Sequence, residues 1–271
     1  MLTALDIFFS LSFTVLINIV KLLFYGFAFF GIILSRYFLV AGGSYFVFYW
    51  WLRKSSAQRK SIIRDIKLSV LSAVVFALYA ALIMSEYDMG VTLLYTSLDK
   101  YGLWYLGFSF VALLVLQDAC FYLVHRLFHH PLLFRWLHFG HHRSGEPTPW
   151  TSFAFDLPEA LVQGLFFACV VFIIPLHFIT LAAALMTMTI WAVLNHLGFR
   201  LFPSSLPCHW LGRWFIGPTH HLWHHRKYTV HYGLYFTLWD KLLGTDDPNY
   251  EQGESFRNKK NKEDKGAILS N

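Results

Sequence analysis

The run from Leu5 to Leu34 holds only two charged side chains, Asp6 and Lys21. A helix crosses a bilayer's hydrocarbon core in about 20 apolar residues, so this stretch alone argues against an ordinary water-soluble globule. Further apolar runs follow at Tyr37–Leu52, Leu68–Ser85, Leu103–Leu116, Ala160–Leu176 and Phe178–Leu194. The last two are short and separated by Pro175 and His177, which reads as a tight hairpin that dips into one leaflet or crosses twice. Composition agrees: 14% of the 271 residues are charged, against roughly 25% in soluble domains. The expected fold class is all-α, a multi-pass bundle of four to six membrane segments carrying a helical, histidine-rich domain. Residues 1–117 form the first membrane helices, 118–250 the histidine-rich domain with a hairpin near 160–196, and 251–271 a polar, disordered tail.

Charge orients the bundle. Arg53, Lys54, Arg59, Lys60, Arg64 and Lys67 crowd one loop, opposed by Asp65, while the next loop carries Glu86, Asp88, Asp99 and Lys100. Excess Lys and Arg marks the cytoplasmic side, so the chain returns to the cytoplasm near His125. The net charge of +6 therefore flanks membrane spans and gives no reason to expect a nucleic-acid partner. Met1–Ser10 lacks the basic start of a cleavable signal, and the first run is expected to stay as a membrane segment. Cys120, Cys169 and Cys208 are isolated, fitting neither a disulfide framework nor a thiolate metal site.

The polar exception is histidine. Fourteen are present, most of them in "HRLFHH", "HFGHH", "NHLG" and "THHLWHH". Residues three and four apart share a helix face. His125 and His129 therefore point one way, as do His138, His141 and His142, and likewise His221, His224 and His225. Each group aims two or three imidazoles at one point. Such a cluster suits a metal, to which each neutral imidazole gives one lone pair. His177 and His209 stand apart and read as interfacial side chains. Zinc sites use three or four protein ligands, whereas eight or nine are on offer, enough for two ions with open positions. Imidazole suits iron, copper, zinc and nickel, and the donor set alone goes no further than a dinuclear, nitrogen-rich centre.

The segments "DACFYLVHRLFHHPLLFRWLHFGHHRS", "NHLG" and "GPTHHLWHHRKYTVHYGLYFTLWDKLLGT" resemble the fatty acid hydroxylase/sterol desaturase superfamily of integral-membrane di-iron enzymes, over about half the chain. The resemblance implies two iron ions, with zinc as a substitute, and dioxygen as co-substrate. Its metal ligands would be His125, His129, His138, His141, His142, His196, His221, His224 and His225. It also matches Asp118 and Glu159 to acidic positions, read here as partners of metal-bound imidazoles. Trp239-Asp240 and Gly244-Thr245 match a closing motif of structural character. Where many relatives have Asn-Tyr-Gly this chain has His231-Tyr232-Gly233, which makes His231 a further candidate ligand or a hydrogen-bonding replacement. His220 falls off the ligand face.

The implied activity is hydroxylation or desaturation of a fatty acyl, sterol or related lipid at a cytoplasm-facing site, in a bacterial inner membrane or the endoplasmic reticulum. No G-x-G-x-x-G or Cys-x-x-Cys-His occurs, so electrons would come from a reductase, ferredoxin or b-type cytochrome, steered by Arg226 and Lys227. The alternatives are a histidine-rich membrane metal transporter and a zinc hydrolase. A transporter needs ligands at bilayer depth, and a hydrolase of this type would show an HExxH motif or a nucleophile.

Overall fold

The computed structural model describes residues 4–51, 59–198 and 212–247. Helix α1 (Ala4–Tyr37) continues through π-helical turns at Phe38–Gly42 and Phe46–Trp51. The first two apolar runs thus form one helical rod, because nothing at Ser35-Arg36 breaks a helix. Next comes α2 (Arg59–Asp88), so Arg59–Lys67 are its opening turns rather than a loop; Arg53 and Lys54 lie outside the described residues. Ile33 of α1 packs on Ala73 and Ala77 of α2, small side chains that let helices approach closely. Four helices among the described residues are long and apolar enough to cross a membrane: Thr14–Trp50, Lys60–Asp88, Leu103–Phe128 and Phe178–Asn195.

Helix α3 (Leu103–Phe128) carries the first histidines at its C-terminal end. A core of Ile83, Leu94, Leu113, Val170, Leu176 and Ala184 joins its other end to α6 (Leu157–Val170) and α7 (Phe178–Asn195). The turn between α6 and α7 is pinned there. Strand β2 (Leu176–His177) pairs in parallel with β1 (Leu94–Tyr95) of the α2–α3 loop, and His177 Nε2 donates to Thr96 O at 2.8 Å. That loop precedes α3, whereas His125 ends it. The α6–α7 turn therefore lies at the end of the bundle opposite His125; of the hairpin's two helices, α7 is long enough to cross a membrane, while α6, with 14 residues, is shorter. Gly164 lets α6 lie against α2, since a Cβ there would sit 2.4 Å from a Tyr79 ring carbon.

The short elements gather at the other end: α4 (Pro131–Leu137), α5 (Phe139–His142), a 3₁₀ turn at Pro149–Phe153, α8 (Pro218–Lys227) and α9 (Leu238–Leu242). Pro131 and Pro218 open their helices, where a missing N–H costs nothing. Left-handed Tyr228 (φ 67°) closes α8. Cys120 and Cys169 are free thiols. Cys208, His209 and the 251–271 tail lie outside the described residues.

Candidate metal centre

Nine buried or nearly buried histidines meet at the C-terminal end of α3, in two sets. His125, His129, His138, His142 and His224 bring one ring nitrogen each within 4.8 Å of one another, and His141, His196, His221 and His225 do the same. Helical spacing explains the partition, but differently from the sequence reading of one point per box. Each i, i+4 pair goes to one set: His125/His129 and His138/His142 to the first, His221/His225 to the second. The odd member of each doubled box, His141 or His224, turns about 100° away and enters the other set. The doubled histidines thus bridge two adjoining centres, and the His142 and His225 rings stack across them with centroids 4.4 Å apart.

The ring nitrogens face one another at close range. Nε2 of His125 lies 3.1 Å from that of His138, and Nε2 of His142 lies 3.1 Å from that of His224. In the second set His196 Nε2 is 3.2 Å from His141 Nε2 and 3.0 Å from His221 Nε2, which is 3.1 Å from His225 Nε2. A hydrogen bond across such a contact requires a proton on one Nε2. In the His141–His196 contact backbone carbonyls remove that option, because they only accept and engage both Nδ1 atoms. His125 Nδ1 donates to Tyr232 O (2.9 Å), His141 Nδ1 to Ala154 O (3.3 Å), His196 Nδ1 to Ala192 O (2.7 Å) and His224 Nδ1 to Val230 O (2.8 Å). In the neutral ring the opposite nitrogen is then a bare lone pair.

The rings are held neutral. Burial pushes the imidazolium of His138, His141, His142, His221, His224 and His225 well below its usual range, and neighbouring imidazoles push the same way. Burial also takes His196 down to about 4. Neutral imidazoles packed nitrogen to nitrogen, with buried His129 Nε2 lacking any hydrogen-bond partner, suit a cation between them. Nitrogens bound about 2.0–2.1 Å from one ion at 90–109° lie about 2.8–3.4 Å apart, which brackets the closest Nε2 pairs. The donor set fits a metal pair.

Acidic residues support the cage at different removes. Glu159 Oε1 lies 2.8 Å from His138 Nδ1, both side chains buried. Asp118 makes no such contact: its Oδ1 accepts the amides of Leu234 (2.9 Å) and Tyr235 (2.7 Å). Asp240 holds the residues just before them, accepting the amides of Tyr232 (2.8 Å) and Gly233 (3.0 Å) and the Thr245 hydroxyl (2.7 Å). The carboxylates of α3 and α9 thus clamp the 232–236 segment from two sides, and its Tyr232 carbonyl fixes the His125 tautomer. Asp156 Oδ2 accepts Gly140 N at 2.7 Å, and a Cβ on Gly140 would fall 2.1 Å from that carboxylate, which accounts for glycine inside the second box.

His231 joins neither set. Its Nδ1 lies 3.4 Å from Asp246 Oδ1, and its ring meets the His220 ring edge-on, with centroids 5.1 Å apart. Burial lowers its pKa to about 4. Its φ of 57° is left-handed, a conformation in which Asn, Asp and His are enriched, so the backbone here accepts either His or Asn. His220 Nδ1 accepts Gly217 N (3.2 Å) at the start of α8. His177 is at the far end of the bundle. The carbonyls of Ala154, Ala192, Val230 and Tyr232 carry no sequence signal; Asp156 had one in its position before Leu157-Pro158, where an N-cap is expected.

The chain matches the fatty acid hydroxylase family over residues 110–245, and it belongs to that family, within the fatty acid hydroxylase/sterol desaturase superfamily. Among its relatives, lathosterol oxidase of Homo sapiens is 31% identical over 241 residues, covering 88% of this chain and 76% of that protein. A Delta(7)-sterol 5(6)-desaturase of Gibberella zeae is 35% identical over 156 residues, 58% of this chain and 47% of that protein. One from Aspergillus fumigatus is 31% identical, covering 58% of this chain and 53% of that protein. The chain thus spans about half the length of these two fungal relatives. No solved structure matches it.

Proposed function

We propose that this membrane protein is an oxidoreductase that uses dioxygen and externally supplied electrons to hydroxylate or desaturate a C–H bond of a lipid. The observation that carries the reading is the pair of adjoining imidazole sets with mutually facing ring nitrogens. His125, His129, His138, His142 and His224 would hold one iron, and His141, His196, His221 and His225 the other, with zinc able to substitute. Bound there, the metals supply dioxygen activation and abstraction of a substrate hydrogen. The chain's own part is to fix the geometry. Carbonyls of Tyr232, Ala154, Ala192 and Val230 lock four rings with Nε2 inward, and Glu159 faces the fifth ring, that of His138. Burial keeps all of them unprotonated and excludes bulk water.

The names of the sterol desaturases and of lathosterol oxidase favour a sterol-like lipid, and the name of the matching family a fatty acyl one. The basic start of α2 lies at the histidine end, where Arg64 donates to Ser144 Oγ at 2.7 Å, and Asp88 ends α2 at the opposite side. Excess positive charge is cytoplasmic, so the site faces the cytoplasm, where a reductase, ferredoxin or b-type cytochrome would supply electrons. A metal transporter would string ligands along a path, whereas these nine sit at one end of the bundle. The test is lipid profiling of cells expressing the chain or His224→Ala, in air and without oxygen, beside metal analysis of both proteins. An oxygen-dependent product made only by the parent, which holds about two metals, is expected. Equal lipid profiles in all four conditions would refute the oxidase reading.

A further inference from the structure

The N-terminal helices lie outside the span that matches the family, yet α2 carries a buried polar stripe. Asp65, Ser69 and Ser72, at i, i+4 and i+7 and so on one helix face, are each no more than 1% exposed. All three bond to the segment that follows the second histidine box. Asp65 Oδ1 and Oδ2 each lie 2.8 Å from Ser144 Oγ, and Oδ2 accepts the Thr151 hydroxyl at 2.8 Å. Ser69 Oγ donates to Trp150 O (3.3 Å) and Ser72 Oγ to Phe155 O (3.4 Å). A charged carboxylate within a membrane bundle is costly and requires partners; here two hydroxyls supply them, with the Arg64 guanidinium 3.3 Å away.

The segment so held leads to the metal ligands in a few bonds. Thr151 O accepts the Ala154 amide at 3.0 Å, and Ala154 O receives His141 Nδ1. Ser144 follows His142 by two residues. We propose that Asp65 is a positioning residue for the four-histidine centre: it holds the 3₁₀ turn that presents the Ala154 carbonyl, and that carbonyl fixes which nitrogen His141 turns inward. This deepens the proposed function and rests on it for the two-centre reading. Ser69 meets a backbone carbonyl of that segment, and Ser72 divides its hydroxyl between Phe155 O and the nearer Leu68 O of its own helix at 3.0 Å, so the carboxylate, with its two hydroxyl partners, is the centre of the clamp.

The test uses full-length protein in detergent, loaded with zinc and counted by elemental analysis, with amide hydrogen exchange on the same samples. The parent is expected to hold about two zinc ions. Asp65→Asn places an amide against two hydroxyls and Arg64, and should weaken one zinc site by about 10–100-fold, the usual cost of disturbing a ligand's outer partner. Exchange at Thr151–Ala154 should quicken while α3 is unchanged. Thr151→Val should reproduce both effects and Thr151→Ser restore the parent's behaviour, which keeps the test decisive if the Asp65 variant fails to fold. Two zinc ions held with unaltered affinity in both Asp65→Asn and Thr151→Val would overturn the role of Asp65 alone. A parent holding fewer than two would overturn the two-centre reading itself.

Discussion

His141 and His196 point Nε2 atoms at each other across 3.2 Å while each Nδ1 is committed to a backbone carbonyl. No proton is available for that contact from either neutral ring, which suits the pair to a cation. Removing one partner with His196→Ala should empty the four-histidine centre while the five-histidine centre keeps its ion. The expected count falls from about two metals per chain to about one, with loss of lipid oxidation. A variant that retains two would separate His196 from the centre.

Acid should undo the metal-free fold. For a buried histidine the folded-state pKa is depressed, here to about 4 for His196, so the unfolded chain binds the proton more readily. Stability from this group is complete above the ordinary value near 6.5 and falls as pH drops from there toward 4. The slope is about 1.4 kcal/mol per pH unit for each such group, and neighbours in one cluster share it rather than add. Thermal unfolding of metal-free protein in detergent, followed from pH 7.5 to 5, should show a Tm that falls with pH. Bound metal should blunt that fall until protons displace it. A Tm flat across the window would mean the histidines are not held neutral.

The gathering of these histidines was legible because their types and spacings repeat. The division into two centres was not, since spacing gives a shared face but not which neighbour fills it. His141 and His224 leave their own box-mates for a centre assembled from other helices. The acceptors that orient the rings escaped for a deeper reason: Ala154, Val230 and Tyr232 act through carbonyls that every residue has. Asp65 was hidden by company, one acid among Arg64 and Lys67 in what reads as a solvated basic stretch. Asp118 showed the converse. Its match to an acidic position of the family reads as contact with an imidazole, yet its partners are the amides of Leu234 and Tyr235, on a segment that tertiary folding brings in.

His231→Asn should leave metal content unchanged. The ring belongs to neither set, and Asn tolerates the left-handed backbone at φ 57°. His231→Val tests the backbone half of the argument, because a β-branched residue is strained there by about 1–3 kcal/mol. It should lower Tm while zinc binding per folded molecule stays near the parent's. Loss of one metal in His231→Asn would make this histidine a ligand after all.

The last expectation concerns Asp118, whose distance from the rings makes its effect graded. Asp118→Asn retains an oxygen able to accept the Leu234 and Tyr235 amides, so metal affinity, measured by competition with a chelator, should fall less than tenfold. Asp118→Ala removes that acceptor and leaves buried amides unpaired, at about 1–3 kcal/mol each. The 232–236 segment then loses one of its two clamps, and Tyr232 O drifts from His125 Nδ1. The five-histidine centre should weaken by about 10–100-fold, while the four-histidine centre, oriented by Ala154 and Ala192, is spared. Equal affinities in the Asn and Ala variants would show that the carboxylate does not act through these amides. Loss at the four-histidine centre first would route its influence elsewhere.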